Sequence, residues 1–261
     1  MADFSIIGAN GTIVLFVMVA LLGIIVGSFL NVCIFRIPKK EDIAVERSHC
    51  MHCGHVLSWY ELIPLFSFLI QGGKCRSCKK KISWQYPLIE ALNGILWVLV
   101  LLMHGVTWDT LLFCLCTSVL IVITVIDERT MEIPFGCNVF IAVLGVVRLA
   151  LDYTHWYEYV IGFFAVSSFF LLLIWITKGK GMGGGDVKLM AAAGLLLGWK
   201  MILFAMTIGC VVGAIIHCGK MIFSRNKEHV LAFGPYLAVG IYIMMLFGEW
   251  ILGWYLNMIG V

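Results

Sequence analysis

Eight runs of apolar residues, near 12–35, 87–103, 110–126, 135–151, 157–177, 187–199, 201–223 and 235–257, decide what solvent this chain folds in. A hydrocarbon core about 30 Å thick takes roughly 20 residues of helix at about 1.5 Å each, and most of the runs approach or exceed that length. Of 261 residues 62% are apolar and only 13% charged, more apolar surface than a water-soluble domain of this size could hide in one core. The expected fold class is therefore all-α and polytopic, with about eight transmembrane helices. The first run is too long for a signal-peptide core and has no basic stretch in front of it, so it is read as a retained span. The stretch 187–223 would run about 55 Å as one helix, too long for a single crossing, and Lys200 interrupts it; a hairpin of two spans is expected.

Basic residues mark the cytoplasmic ends of spans. With the N-terminus outside, the inner segments hold Arg36, Lys39, Lys40, Arg47, Lys74, Arg76, Lys79, Lys80, Lys81, Arg129, Lys178, Lys180, Lys188, Lys220, Arg225 and Lys227, leaving Arg148 and Lys200 for the outer side. The chain then divides into a first transmembrane helix (1–35), a cytoplasmic module (36–86) and a membrane-embedded domain (87–261), with both termini outside. The net charge of +3 is in this reading a topological signal. No basic groove with interleaved aromatics suggests nucleic acid as a partner; the bilayer is the expected one.

The long polar segment between the first two spans carries Cys50-x-x-Cys53 and, after 21 intervening residues, Cys75-x-x-Cys78. Two close thiolate pairs supply the four corners of a tetrahedral zinc site, and such knuckles let about 50 residues fold without a large core. Four protein ligands leave no open position, so the zinc is expected to be structural. An iron–sulfur site and a redox dithiol are the alternatives, though a reducing cytoplasm argues against disulfides. His49, His52 and His55 stand close enough in sequence to replace a cysteine ligand. Cys33, Cys114, Cys116, Cys137, Cys210 and Cys218 fall in spans and are read as packing residues.

Acids at membrane depth are costly and tend to be functional. Asp127 follows the apolar run Leu111 to Ile126, shortly before Ile133-Pro134 opens the next span. Asp186 ends Gly181-Met182-Gly183-Gly184-Gly185-Asp186 and precedes an apolar helix. Both fall on the cytoplasmic side in the topology above. Gly183, Gly184 and Gly185 can adopt positive φ and admit a second backbone, as a site gripping an extended peptide requires. Two carboxylates brought together do not both ionise easily: one keeps a proton to polarise a scissile carbonyl while the other takes a proton from water. Asp186 at a helix N-terminus and Asp127 at a C-terminus would make Asp186 the charged member, by the helix dipole. The bland alternatives are a helix cap for Asp186 and an interfacial acid for Asp127. Asp109, Asp152, Glu158 and Glu249 near outer span ends take the interfacial reading, and Glu90 is open between packing and substrate contact.

Further motifs accompany these: Gly27-Ser28-Phe29-Leu30-Asn31-Val32 with Arg36-Ile37-Pro38, Leu57-Ser58-Trp59-Tyr60-Glu61-Leu62-Ile63-Pro64, Ile82-Ser83-Trp84-Gln85-Tyr86-Pro87, Gly185-Asp186-Val187-Lys188-Leu189 and Phe233-Gly234-Pro235-Tyr236. In this order, over nearly the whole length, the chain resembles the bacterial type IV prepilin peptidases (prepilin leader peptidase/N-methyltransferases) of the GxGD aspartic protease group. The resemblance implies that Asp127 and Asp186 are the catalytic pair, with Gly183, Gly184, Gly185 and Lys188 near the substrate. It implies removal of a short basic leader from prepilins and pseudopilins, after a glycine, at the cytoplasmic face of the bacterial plasma (inner) membrane. It also implies N-methylation of the new terminus with S-adenosylmethionine, for which Gly73 and Lys74 beside the second cysteine pair are the candidate site. The chain departs from the family pattern at Phe135, where many relatives carry an acid, and at His49 and His52 in place of prolines. The rival from another class is a transporter with an aspartate relay, and a second rival is an inactive scaffold.

Overall fold

The computed structural model describes residues 8–43, 45–179, 182–223 and 232–260, and within them the chain is helical with two isolated β-bridges. The helices are α1 (Gly8–Arg36), α2 (Phe66–Ile70), α3 (Gln85–His104), α4 (Trp108–Thr130), α5 (Phe135–Leu151), α6 (Trp156–Ile176), α7 (Gly184–Leu197), α8 (Trp199–Phe223) and α9 (Gly234–Ile259). All eight apolar runs are helical. Six of the helices are long and apolar enough to cross a membrane: those of α1, α3, α4, α6, α8 and α9. The protein is a multi-pass membrane protein. Of the basic residues used for orientation, Lys180, Arg225 and Lys227 lie outside the described residues, as does Gly181.

The chain divides at Val122/Ile123, within α4, into two units. In the first, α1 packs on α3 through small residues. A β-carbon on Gly27 would lie 2.7 Å from Glu90 Cα, and one on Gly23 2.9 Å from Gly94 Cα, so the backbones touch at two glycines of α1 that stand four residues apart. Polar groups buried with the seam are paired: Asn93 Nδ2 donates to Gly23 O (2.7 Å), Ser118 Oγ to Asn93 Oδ1 (2.9 Å) and Trp97 Nε1 to Ser118 Oγ (3.0 Å). Elsewhere α1 turns Ile13, Val14, Leu22 and Ile25 outward, as a helix solvated by lipid does.

Arg36 closes α1 and organises the start of the polar segment. Its guanidinium donates to the carbonyls of Asp42 (2.9 Å) and Glu46 (2.9 Å), folding the chain back under the helix end. Asn31 Nδ2 donates to Tyr86 O (3.2 Å), and the Phe35 and Tyr86 rings stack at 5.6 Å, so the module's exit is fastened beside its entrance. This accounts for Asn31 and Arg36 in the sequence motif.

In the second unit α7 is the central helix, packed by α5, α6, α8 and α9. Leu189, Met190, Ala193 and Leu196 are fully buried. Gly162 of α6 and Gly194 of α7 meet backbone to backbone, with no room for a β-carbon on either. The expected hairpin over 187–223 is present, and it turns at Gly198 (φ 85). Its first arm has 14 residues, about 21 Å, too short to cross alone. A helix clothed in protein on every side need not match the bilayer, which is why the shortest run, 187–199, can form a deeply buried helix. The two basic residues assigned to the outer side both have partners here: Lys200 Nζ meets Glu158 Oε1 at 3.0 Å, and Arg148 Nη1 donates to Leu196 O at 2.7 Å.

Candidate active site

Asp127 lies in the last turn of α4, which continues past the expected end at Ile126 to Thr130. A turn with Met131 at φ 56 then leads through Ile133 to Pro134, the N-cap of α5. Asp127 and Asp186 are both buried, at 5% and 8% exposure, which for carboxylates demands hydrogen-bond partners. Each has a glycine N–H. Gly234 donates to Asp127 Oδ2 at 3.0 Å, and the Gly183 backbone N–H bonds the Asp186 carboxylate. The two carboxyls are within electrostatic reach of each other.

Gly234 is the first residue of α9, so Asp127, at the C-terminus of its own helix, faces the N-terminus of another. The dipole argument that made Asp186 the charged member is therefore weakened: Asp127 meets the C-terminus of α4 and the N-terminus of α9 together, while Asp186 stands at the N-terminus of α7. Gly234 was named in the sequence only as part of a motif. Its functional signal was there to be read, because a Gly-Pro pair opening a helix offers one free N–H followed by a residue that has none.

The glycine run before Asp186 behaves differently from expectation in one respect. Gly183 is extended (φ −80) and caps α7, while Gly184 and Gly185 form its first turn; the positive φ values fall upstream at Lys178 and Gly179. The close approach is real at Gly185, where a β-carbon would lie 3.0 Å from Ile133 Cβ. Ile133 also abuts Gly234, with Cδ1 3.2 Å from a β-carbon there, so one side chain bears on both helix starts that hold the carboxylates. Lys188 is exposed one turn into α7, its Nζ 5.2 Å from the centre of the Phe135 ring, a cation–π contact that uses the departure from the family pattern.

Some distance along the chain, Cys50, Cys53, Cys75 and Cys78 converge, all four Sγ within 4.8 Å of one another and the Cys50 and Cys78 sulfurs 3.9 Å apart. Tetrahedral thiolates on bonds of about 2.3 Å stand about 3.8 Å apart, so the cluster fits a four-coordinate metal. No histidine joins it among the described residues: His49 contacts Arg47 O (3.2 Å) and His55 contacts Glu61 Oε2 (3.4 Å). Each pair lies in a knuckle of the same design. Cys50 N–H donates to His55 O and Gly54 N–H to Cys50 O; Cys75 N–H donates to Lys80 O and Lys79 N–H to Cys75 O. The residue after the second cysteine has positive φ in both, Gly54 at 70 and Lys79 at 59.

Gly73 (φ 66) and Lys74 form the lead-in to the second knuckle. Gly73 spends its N–H on Phe68 O (2.9 Å) and its carbonyl on Ile82 N–H (2.8 Å), and Lys74 bridges to Lys81. Both backbone polar groups of Gly73 are thus engaged in the fold, leaving the exposed Lys74 ammonium as the group free to meet a ligand. Glu90 takes the packing reading: its Oε2 accepts the Leu65 N–H at 2.8 Å, holding a residue at φ 59 beside α3. Glu61, also buried, accepts the Ser58 N–H (2.9 Å), and that bond, with His55 and Arg76 adding to it, holds its carboxyl below the ordinary range.

The Bacterial Peptidase A24 N-terminal domain matches residues 21–104, and the Type IV leader peptidase family matches residues 114–218. A prepilin leader peptidase/N-methyltransferase of Bacillus subtilis (strain 168) is 34% identical over 238 residues, 90% of this chain and 96% of that protein. Proteins of the same name from Aeromonas salmonicida and Pseudomonas aeruginosa are each 34% identical, over 94% and 92% of this chain and 94% and 93% of their own lengths. No solved structure gives a significant match. Two buried aspartates at converging helix ends, a four-cysteine module ahead of them and relatives matched almost end to end agree: the chain belongs to the type IV leader peptidase family.

Proposed function

We propose that this protein is a membrane aspartic endopeptidase that removes the short basic leader from type IV prepilins and pseudopilins, cutting after a glycine at the cytoplasmic face of the bacterial plasma membrane, with both termini outside. The observation that carries the reading is the pair Asp127 and Asp186, from two separate helices, each buried, each given one glycine N–H and near enough to feel the other's charge. One carboxylate takes a proton from a water molecule as its oxygen attacks the scissile carbonyl. The other, protonated, donates to the carbonyl oxygen; the resulting tetrahedral carbon then expels the amine, which leaves with a proton from the pair. Gly183, Gly184 and Gly185 admit the substrate backbone, and Lys188 stands beside it. A transporter relay fits less well, because the two acids lie at helix ends and not mid-span.

The second activity in this reading is N-methylation of the newly exposed residue. S-adenosylmethionine supplies the methyl group when bound. Support for it is the name shared by the relatives and the presence of the cysteine module; Lys74 is the side chain we assign to its neighbourhood, with Gly73 shaping the turn. The metal in the module is zinc in this reading, held by Cys50, Cys53, Cys75 and Cys78 as a cross-link that replaces a hydrophobic core.

The deciding experiment incubates the purified protein with a prepilin, with and without S-adenosylmethionine, and reads the mass of the product N-terminus. Cleavage by the parent, lost in both Asp127→Asn and Asp186→Asn, is the expected result, with one added methyl group when the donor is present. A prepilin left uncut by the parent, or cut by either variant at the parental rate, would overturn the assignment.

A further inference from the structure

Helix α2 is built the wrong way round for water. Phe68 points inward, its ring 5.0 Å from that of Trp84 and packed under Gly73, while Phe66, Leu69 and Ile70 point out. Leu69 is 70% exposed and Ile70 84%. Trp59, in the short turn before α2, and Trp84, whose ring meets Phe68, are also largely exposed. On a water-facing module such a patch would be a liability; on one tethered at both ends to membrane helices it has an obvious neighbour.

The depth of α2 is fixed by one bond. Leu65, its N-cap, donates to Glu90 Oε2 at 2.8 Å, and Glu90 is the sixth residue of α3. At about 1.5 Å per residue this sets α2 beside the span, roughly 8 Å in from its first residue, and not beyond its end. Leu88, half a turn from Glu90, is itself an exposed apolar side chain of that span. Charge on the neighbouring hairpin completes the pattern. Between Trp59 and Trp84 stand Lys74, Arg76, Lys79, Lys80 and Lys81, all exposed, against a single acid, Glu61, which is buried.

We propose that Phe66–Ile70 is an interfacial segment, its apolar face sunk at the boundary of headgroups and acyl chains, with the basic knuckle lying against anionic lipid headgroups of the same leaflet. Apolar residues on one face, indole rings at the rim and ammonium groups beside them are what that boundary selects. The metal cluster shapes the module, and α2 fastens it to the membrane.

The test places a benzophenone amino acid at Leu69, Ile70 or Met51 of the full-length protein, Met51 being an exposed residue of the first knuckle. Each protein is irradiated in nanodiscs of phosphatidylcholine, with or without phosphatidylglycerol, and adducts are identified by mass. Lipid adducts at Leu69 and Ile70 at least fivefold above Met51 are expected. The phosphatidylglycerol share should fall at least twofold in Lys79→Ser/Lys80→Ser/Lys81→Ser, and lipid adducts at Ile70 should fall in Glu90→Ala. Metal content is measured for every variant, so that only proteins with an intact module are compared. Equal lipid yield at Ile70 and Met51 overturns the proposal, and so does capture of a second protein chain at Ile70 in place of lipid.

Discussion

A β-carbon at position 234 would stand 2.7 Å from Asp127 Oδ2, displacing the carboxylate from the N–H that holds it. Bonds to charged groups are worth about 1.5–3 kcal/mol, so Gly234→Ala should slow prepilin cleavage tenfold or more while far-ultraviolet circular dichroism stays unchanged. Gly185→Ala meets the Cβ of Ile133 at 3.0 Å and should also lower the rate; adding Ile133→Gly, which removes that Cβ, should restore part of it, a coupling that a double-mutant cycle of cleavage rates will show. Asn138 is a different case. Its side-chain amide is buried in α5 with neither atom hydrogen-bonded among the described residues, a burden of about 1–3 kcal/mol. Asn138→Leu, of similar shape, should raise the melting temperature in detergent. The two aspartates were legible because a carboxylate beside an apolar run is conspicuous. Their glycine partners were less so, since Gly234 reaches Asp127 across 107 residues and only the tertiary fold brings them together.

At the level of elements, the apolar runs located every membrane helix to within a few residues, because hydropathy changes sharply where a span meets water. What hydropathy could not convey was rank. The shortest run became the central helix α7, since its small residues allow its neighbours to close in. Gly194→Val should accordingly destabilise the α6–α7 contact by several kcal/mol, on the order of 3, and lower the melting temperature far more than Gly136→Val, where nothing lies within 4 Å of the added carbon. The cysteine knuckles were readable from spacing alone, but their unequal backbones were not. Lys79 holds at φ 59 the conformation that Gly54 holds at φ 70 without strain. Lys79→Gly should therefore stabilise the module by roughly 1 kcal/mol, seen as a slower loss of metal to a chelator. Cys75→Ser should abolish metal binding and leave the module susceptible to protease.

Across the whole chain, the two basic residues expected on the outer side each have a local partner: Arg148 donates to Leu196 O and Lys200 pairs with Glu158. The module adds a dependence on pH. Glu61 has its carboxyl held below the ordinary range by the Ser58 N–H first, so its contribution is complete above that ordinary range and disappears as pH falls through the lowered value. Proteolysis of the module should accelerate in that acid window, and Glu61→Gln should remove the added sensitivity. A last consequence belongs to the length of α7. At 14 residues it spans about 21 Å of a core about 30 Å thick, and Asp186 sits in its first turn. The longer helices around α7, and not α7 itself, meet the lipid, so access to the carboxylates depends on how well the bilayer matches those spans. The enzyme is in this sense a gauge of its own membrane: turnover in vesicles should fall steadily as acyl chains are lengthened from 14 to about 20 carbons.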